Sequence, residues 1–263
     1  MLPTPSTAHV CFDHVYEPAE DSFLLLDTLS SPSETAFLHS RFKQTSFQEG
    51  SNETCNSSSP LVLEIGVGSG VVLAFVAANA SNIFGRSDVL TLGTDINSFA
   101  CKDASRTVQT ATDEHCPTPF FDIINGDLAS SIRSSCIDIF LFNPPYVPAE
   151  LPDLSRHDNY NTLPMGQTST SFEQDSYLLA LSYAGGADGM EVTNRMLEQI
   201  PQILHPVRGV GYLLLCAQNK PEEVKQHIRN WGSRWMAETV GSSGKKAGWE
   251  KLQIVRIWRE TSK

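Results

Sequence analysis

The segment Leu61-Val62-Leu63-Glu64-Ile65-Gly66-Val67-Gly68-Ser69-Gly70 decides the fold of this 263-residue chain. Its first five residues form a short apolar run that predicts a buried strand, and its three glycines predict a tight turn that leads into a helix over about 71–79. A glycine backbone can approach a ligand closely because no Cβ stands in the way. The segment therefore predicts the first strand, turn and helix of an α/β domain, with a ligand at the turn.

The rest of the chain continues this alternation of strands and helices. A parallel sheet with helices on both faces follows from such a pattern. The last two strands have no helix between them, so we expect an antiparallel hairpin at one edge of the sheet. The whole chain, 1–263, is predicted to be one α/β domain with a seven-stranded, doubly wound, Rossmann-like sheet. Strands are predicted over 61–65, 89–94, 120–124, 137–142, 209–216, 235–240 and 252–258, and helices over about 18–29, 71–79, 98–112, 175–183, 192–204 and 221–231.

Two polar segments interrupt the alternation. Residues 30–60 are rich in Ser, Thr and Asn, and residues 148–173 also lack sustained apolar periodicity. Both are predicted as long loops, the first with one short helix near 36–42.

Composition excludes several classes of protein. Hydrophobic residues make up 40% of the chain, which predicts a globular core. The formal net charge of −11 argues against stable nucleic-acid binding, because phosphates must be neutralised by Lys and Arg. The six cysteines include no Cys-x-x-Cys pair, so neither a disulfide framework nor a zinc site is implied. Without a signal sequence or an apolar run of membrane-spanning length, we expect no membrane association and a cytoplasmic location, with the nucleus as a second compartment.

Acidic residues follow three successive predicted strands. Glu64 lies two positions before Gly66, Asp95 ends the second strand, and Asp127 follows the third with Leu128 beside it. The carboxyl ends of parallel strands meet at one edge of the sheet, so these acids predict a pocket for an adenosine that carries a positive charge. S-adenosylmethionine fits this description better than a dinucleotide, whose pyrophosphate Glu64 would repel. Taken singly, the acids could instead be a helix cap, a helix start and an ordinary turn.

The fourth predicted strand stops at Asn143-Pro144-Pro145-Tyr146. Two prolines cannot continue a sheet ladder, and they fix a rigid corner. We expect the Asn143 Oδ1 atom and the Pro144 carbonyl to accept the two N–H bonds of a planar NH2 group while the Tyr146 ring stacks on its plane. The alternative is a plain turn at the end of a strand.

Four segments together resemble one enzyme family. They are Tyr-Glu-Pro-Ala-Glu-Asp-Ser at 16–22, the glycine turn at 64–70, Asn-Pro-Pro-Tyr-Val-Pro at 143–148 and Tyr-Ala-Gly-Gly-Ala-Asp-Gly-Met-Glu-Val at 183–192. The chain resembles the class I S-adenosylmethionine-dependent methyltransferases, and more narrowly the HemK-like protein-glutamine methyltransferases in their eukaryotic and archaeal short form. The resemblance implies the class I methyltransferase fold, with 30–60 and 149–174 as insertions.

The same resemblance implies a reaction and a set of site residues. The reaction is N5-methylation of the glutamine in the Gly-Gly-Gln motif of the class I translation termination factor, with S-adenosyl-L-methionine as cofactor. No metal ligand is implied. The residues expected to hold the cofactor are Tyr16, Glu20, Ser22, Glu64, Gly66, Gly68, Gly70, Asp95, Asp127, Leu128 and Asn143, and those expected at the reacting group are Asn143, Pro144, Pro145 and Tyr146.

The family also works as a heterodimer with a small zinc-binding activator that pairs with an edge strand. The strand predicted at 120–124 is apolar at both parities, so one of its faces needs a cover that a partner strand could supply. The alternative is that the chain's own helices cover it.

Other functions stay open at this point. Adenine-N6 methylation of nucleic acid poses the same planar problem at the corner, and some relatives of the family are reported to methylate histone lysine. A small-molecule methyltransferase and a silent scaffold that keeps the cofactor fold are weaker alternatives. Residues 183–192 are expected to form a rim of the substrate slot, or else a glycine-rich turn before a helix.

Overall fold

The computed structural model describes residues 2–43, 58–115, 119–163, 165, 169–244 and 251–260. One sheet of seven strands runs through them in the order β3-β2-β1-β4-β5-β7-β6. The first five strands are parallel, and β7 lies antiparallel between β5 and β6. The predicted Rossmann-like sheet with a C-terminal antiparallel hairpin is confirmed. The strands are β1 (Leu61–Ile65), β2 (Leu90–Asp95), β3 (Phe120–Asn125), β4 (Ile139–Phe142), β5 (Val210–Cys216), β6 (Trp235–Ser242) and β7 (Leu252–Arg259).

Helices cover both faces of the sheet because neighbouring side chains of a strand point to opposite faces. In β1, Val62 joins a core with the helices α1 to α5, and Leu63 joins a second core with α8 and α9. All four residues of β4 are buried, as expected for a central parallel strand. The helices are α1 (Glu20–Leu29), α2 (Pro32–Phe42), α3 (Val71–Ala78), α4 (Ala80–Phe84), α5 (Ser98–His115), α6 (His157–Tyr160), α7 (Phe172–Tyr183), α8 (Glu191–Ile203) and α9 (Pro221–Arg229).

The N-terminal loop contains more helix than predicted. Instead of a short helix near 36–42, α2 begins at Pro32, where the Ser31 side chain accepts a hydrogen bond from the backbone of Glu34. Leu38 and Phe42 then bury themselves in the core, so tertiary packing stabilises a weakly apolar helix. The remainder of the predicted loop, 44–57, lies outside the described residues.

Other elements and boundaries also differ from the prediction. The five-residue α4 was not predicted, because it is too short to show a period. The predicted loop 148–173 contains a 3-10 turn at Leu154–Arg156 and the short α6, and α7 starts at Phe172. β4 starts at Ile139 rather than 137, because the preceding Asp138 uses its carboxylate to bind the Leu61 N–H at 2.9 Å.

The sheet changes direction between β1 and β4. From β1 the chain builds outward through β2 and β3, and then returns to β4 on the other side of β1. In sheets of this type, ligands bind at the carboxyl ends of the strands beside this switch point. The glycine turn, Asp95 and the Asn-Pro-Pro-Tyr corner all lie there. Within the described part of the chain, membrane-spanning length and apolarity do not coincide in any helix.

Candidate active site

A cavity of about 370 Å³ opens at the carboxyl ends of β1, β2 and β4. Most of the residues singled out in the sequence line it, although they come from five separate parts of the chain. Glu20 and Gly70 do not. The predicted residues in its wall are Tyr16, Ser22, Glu64, Gly66, Gly68, Asp95, Asp127, Leu128, Asn143, Pro144, Pro145 and Tyr146.

The glycine turn after β1 forms the floor of the cavity. Gly66 and Gly68 adopt positive φ angles of 66° and 50°, which favour glycine over other residues. A Cβ added at Gly68 would meet no atom within 4 Å and would project into open space. The missing Cβ therefore leaves room for a ligand against the backbone.

Asp95 ties the turn to β2. One of its carboxylate oxygens accepts the Gly68 N–H at 2.9 Å, and the other accepts the Asn97 N–H at 2.8 Å. Burial raises the pKa of the Asp95 carboxyl to about 6 despite these hydrogen bonds. The ionised carboxylate keeps lone pairs for a ligand that offers hydroxyl donors.

Glu64 presents a buried carboxyl to the same cavity. Its side-chain oxygen Oε2 has no hydrogen-bond partner among the described residues. Burial, with a smaller contribution from the nearby Asp95 charge, raises the pKa of Glu64 well above its usual range. A buried carboxyl oxygen without a hydrogen-bond partner is costly unless a ligand supplies a donor or positive charge.

Asp127 and Leu128 lie in the loop after β3. Asp127 was expected in the cofactor pocket, and its carboxylate pairs with the guanidinium of Arg195 on α8. Both side chains are nearly half exposed, at 42% and 47%. The pair places Asp127 at the rim of the cavity. Leu128 is buried, has a left-handed φ of 52° and lies in the cavity wall beside Asp127.

The Asn-Pro-Pro-Tyr corner follows β4. The Asn143 Nδ2 atom donates to a carboxylate oxygen of Asp21 at 3.0 Å, while its Oδ1 atom is buried and has no partner among the described residues. The segment 183–192 packs tightly on the corner, since a Cβ at Gly189 would lie 2.0 Å from the Tyr146 carbonyl oxygen. The corner is thus rigid and has one acceptor unused.

Asp21 is the main residue that the sequence reasoning missed. It is 3% exposed, and its Oδ2 atom also accepts from the hydroxyls of Tyr16 at 3.2 Å and Tyr146 at 3.4 Å. In the sequence it was only an acidic residue of a helix first turn. A signal was available, because Asp21 shares the helix face of Leu25 and Leu29, which the apolar pattern predicts to be buried.

Two predicted cofactor residues lie elsewhere. Glu20 is exposed in the first turn of α1, where an acid favours the helix dipole. Gly70 caps α3 with a φ of 77°, and a Cβ there would lie 2.6 Å from the Ala104 Cα atom of α5. Its lack of a side chain serves the contact between two helices rather than a ligand.

The second predicted insertion, 149–174, also reaches the cavity. Leu151, Pro152 and Leu154 line the wall. The segment is fixed to the body of the domain, since His157 bonds the Ile96 carbonyl at 3.1 Å and Asn161 accepts the Ser98 N–H at 2.6 Å. The insertion, which the resemblance implied to flank the active site, therefore contributes residues to the cavity wall.

Comparisons with known proteins also indicate a methyltransferase. No family model matches the chain. The eRF1 methyltransferase catalytic subunit mtq2 of Schizosaccharomyces pombe is 30% identical over 264 residues, covering 98% of this chain and 96% of that protein. Methyltransferase HEMK2 of Mus musculus is 32% identical over 263 residues, covering 97% and 96%. A protein of Methanocaldococcus jannaschii with the provisional name protein N5-glutamine methyltransferase is 28% identical, covering 93% and 92%. Near-complete coverage at this level of identity establishes that the chain belongs to the Mtq2/HEMK2 family of methyltransferases.

Proposed function

We propose that this chain methylates the N5 atom of the glutamine side chain in the Gly-Gly-Gln motif of the class I translation termination factor, with S-adenosyl-L-methionine as methyl donor. The names of the relatives support the reaction and the substrate. The observation that carries the proposal is the buried Oδ1 atom of Asn143, which has no partner in the described part of the chain and is an acceptor that a primary amide would satisfy.

The floor of the cavity fits S-adenosylmethionine. The Oε2 atom of the buried Glu64 carboxyl has no hydrogen-bond partner among the described residues, which suits the cationic part of this ligand. Asp95 offers acceptors for the ribose hydroxyls, and Gly68 leaves the space that a side chain would fill. When bound, this group supplies an electrophilic methyl on a positively charged sulfur.

The corner deals with the poor nucleophilicity of an amide nitrogen, whose lone pair is delocalised. Asn143 Oδ1 accepts one N–H of the glutamine amide, and the Pro144 carbonyl accepts the other. These two hydrogen bonds draw electron density onto the nitrogen and fix the direction of its lone pair. Tyr146 covers the amide plane with its ring. Holding the amide nitrogen and the methyl group about 3–3.5 Å apart supplies much of the rate enhancement. After methyl transfer, the nitrogen loses its proton to water or a backbone carbonyl.

The narrow shape of the site favours glycines beside the target. Pro145 and Tyr146 are packed against Gly185 and Gly189, so the segment 183–192 leaves little space at the corner. A glutamine flanked by glycines can enter such a slot with its backbone close to the wall. Tyr183, which is 41% exposed, lies at the mouth.

The proposed partner is a small zinc-binding activator that adds a strand beside β3. β3 is the terminal strand of the described sheet and pairs only with β2 there. Phe121 on this strand is 57% exposed, so an apolar side chain and an open sheet edge lie together. We expect the complex in the cytoplasm, where translation terminates, with the nucleus as a second compartment.

Mass spectrometry with labelled S-adenosylmethionine tests the reaction. The substrates are a termination factor, a histone and a duplex oligonucleotide, each with and without the zinc-binding activator. One methyl group is expected on the Gly-Gly-Gln glutamine, and Asn143→Ala should abolish it. A mark on adenine or on lysine alone would overturn the proposal. A variant without the glutamine in the substrate motif controls for other sites.

A further inference from the structure

We propose that Asp21 is a positioning residue that fixes the polarity of the Asn143 side chain, an inference that rests on the proposed function. The Asp21 carboxylate binds the amide nitrogen of Asn143 and thereby leaves the amide oxygen facing the substrate. The residues lie 122 positions apart in the chain and meet only in the folded domain.

The hydrogen bonds at Asp21 leave no choice of orientation. An ionised carboxylate can only accept, so the group that Asn143 turns toward it must be the NH2. The second carboxylate oxygen is held by the backbone N–H of Ser22 at 2.6 Å and by its hydroxyl at 3.3 Å. These contacts keep the carboxylate from rotating away. The amide of Asn143 cannot flip without breaking its bond to a buried charge.

The orientation matters because the substrate group is itself an NH2. An asparagine that showed its own NH2 to the glutamine amide would set donor against donor, and the nitrogen lone pair would not be directed. When Asn143 Oδ1 faces the substrate, an N–H of the glutamine amide meets an acceptor. The negative charge on Asp21 also polarises the Asn143 amide, which strengthens Oδ1 as an acceptor.

The Asp21 Oδ2 atom, which binds Asn143, also binds two tyrosine hydroxyls in the wall of the cavity. The Tyr146 hydroxyl lies 3.4 Å from Asp21 Oδ2, and the Tyr16 hydroxyl lies 3.2 Å from it. One buried charge therefore anchors the acceptor amide and the ring that covers the substrate plane. The N-terminal segment and α1 thus act on the reacting group.

The first test is the isosteric change Asp21→Asn. An amide at position 21 can donate as well as accept, so Asn143 is free to turn its oxygen away from the substrate. We expect kcat for glutamine methylation to fall by about a hundredfold or more, the scale of losing one preorganised hydrogen bond. The KM for S-adenosylmethionine should stay within about threefold. Asp27→Asn, which changes an exposed acid of the same helix, is the matched control and should leave kcat unchanged.

The decisive test combines Asp21→Asn with Asn143→Asp. The exchange reverses the polarity of the pair, because the amide at 21 then donates to a carboxylate at 143, which still shows an oxygen to the substrate. We expect kcat of the double variant to exceed that of either single variant by at least about tenfold. A role of Asp21 in stability alone predicts no such recovery.

Several outcomes separate this inference from the proposed function. If the wild type is active but the double variant is as slow as the slower single variant, the role of Asp21 is wrong and the proposed reaction is unaffected. A nearly unchanged kcat in Asp21→Asn would overturn it too. Wild type that fails to methylate the glutamine would overturn the proposed function, and this role with it. Thermal unfolding and cofactor binding of each variant show whether it is folded.

Discussion

The carboxylate of Asp95 at the end of β2 accepts the backbone N–H of Gly68 in the turn after β1, at 2.9 Å. The cofactor cradle, formed by the glycine turn at 66–68 and Asp95, therefore has a shape that depends on the ionisation of one buried acid. Burial raises the pKa of that acid to about 6, within reach of ordinary assay conditions. The protonation of Asp95 should therefore appear in the binding of the cofactor.

We expect the affinity for S-adenosylmethionine to fall as the pH drops below about 6. Protonation removes acceptor capacity for the ribose hydroxyls and weakens the contact with Gly68. The ligand prefers the ionised form, so the affinity should be constant well above the pKa of about 6 and should fall below it by up to about tenfold per pH unit. Calorimetric titrations from about pH 5 to pH 8 measure this dependence.

The control for this pH dependence is Asp95→Asn. The variant should bind more weakly at neutral pH and should lack the change centred on the pKa of about 6. Glu64, whose pKa is also raised by burial, remains in the variant and accounts for what is left. Parallel pH curves for wild type and variant would show that Asp95 is not the group that titrates.

Two glycines of the same turn should respond differently to alanine. Gly70→Ala places a Cβ 2.6 Å from the Ala104 Cα atom at a φ of 77°, so we expect the free energy of unfolding to drop by about 2–4 kcal/mol. Gly68→Ala meets no atom and carries only the strain of its positive φ, about 1 kcal/mol, but its methyl group enters the cradle. Urea unfolding and cofactor titration of both variants separate the effects. Equal losses of stability would contradict the assignment.

The centre of the sheet could be predicted because β1, β4 and β5 are short, mostly apolar runs. All seven residues of β5 are buried, and β1 is apolar except for Glu64, as expected for strands covered on both faces. The helix α2 could not be predicted in full, since its only buried apolar residues, Leu38 and Phe42, lie in its C-terminal half, and its stability comes from contacts with the core. Local sequence contains no record of those contacts.

In the site, too, only the residues marked by local sequence could be predicted. Glu64, Asp95 and Asn143 could be found because each lies within one residue of the end of a predicted strand, and the topology brings these strand ends together. The partners of the acids could not, because Asp21 meets Asn143 across 122 residues and Arg195 meets Asp127 across 68. Glu20 and Gly70 were assigned from their motifs, although the first points to solvent and the second to a helix contact.

We expect Phe121→Asp to prevent assembly with the zinc-binding activator. The charge would lie on β3, the terminal strand of the sheet as far as the structure describes it, where an added strand would have to bury it. Because Phe121 is 57% exposed in the free chain, the free energy of unfolding should change by no more than about 0.5 kcal/mol. Size-exclusion chromatography of the chain with the purified activator measures assembly. Val207→Asp, at a residue that is 53% exposed outside β3, is the control. Assembly of both variants would place the partner elsewhere.

A buried ion pair attaches α2 to the antiparallel end of the sheet, and its removal gives the last prediction. Both carboxylate oxygens of Glu34 bind the Arg256 Nη1 atom, at 2.8 Å and 3.0 Å, and Glu34 also accepts the Tyr212 hydroxyl at 2.9 Å. Glu34→Ala leaves the Arg256 charge largely buried without its main partner. We expect the free energy of unfolding to fall by about 3–5 kcal/mol, measured by urea denaturation.

Replacing both charges should cost much less. In Glu34→Met combined with Arg256→Met and Tyr212→Phe, no buried charge or hydroxyl of this group remains unpaired, and the methionines fill space beside Phe37, over whose ring the Arg256 guanidinium now lies at 3.8 Å. The triple variant should therefore be more stable than Glu34→Ala alone. If instead the triple variant is the less stable of the two, the pair contributes net stability beyond the cost of an orphaned charge, and α2 depends on its attraction.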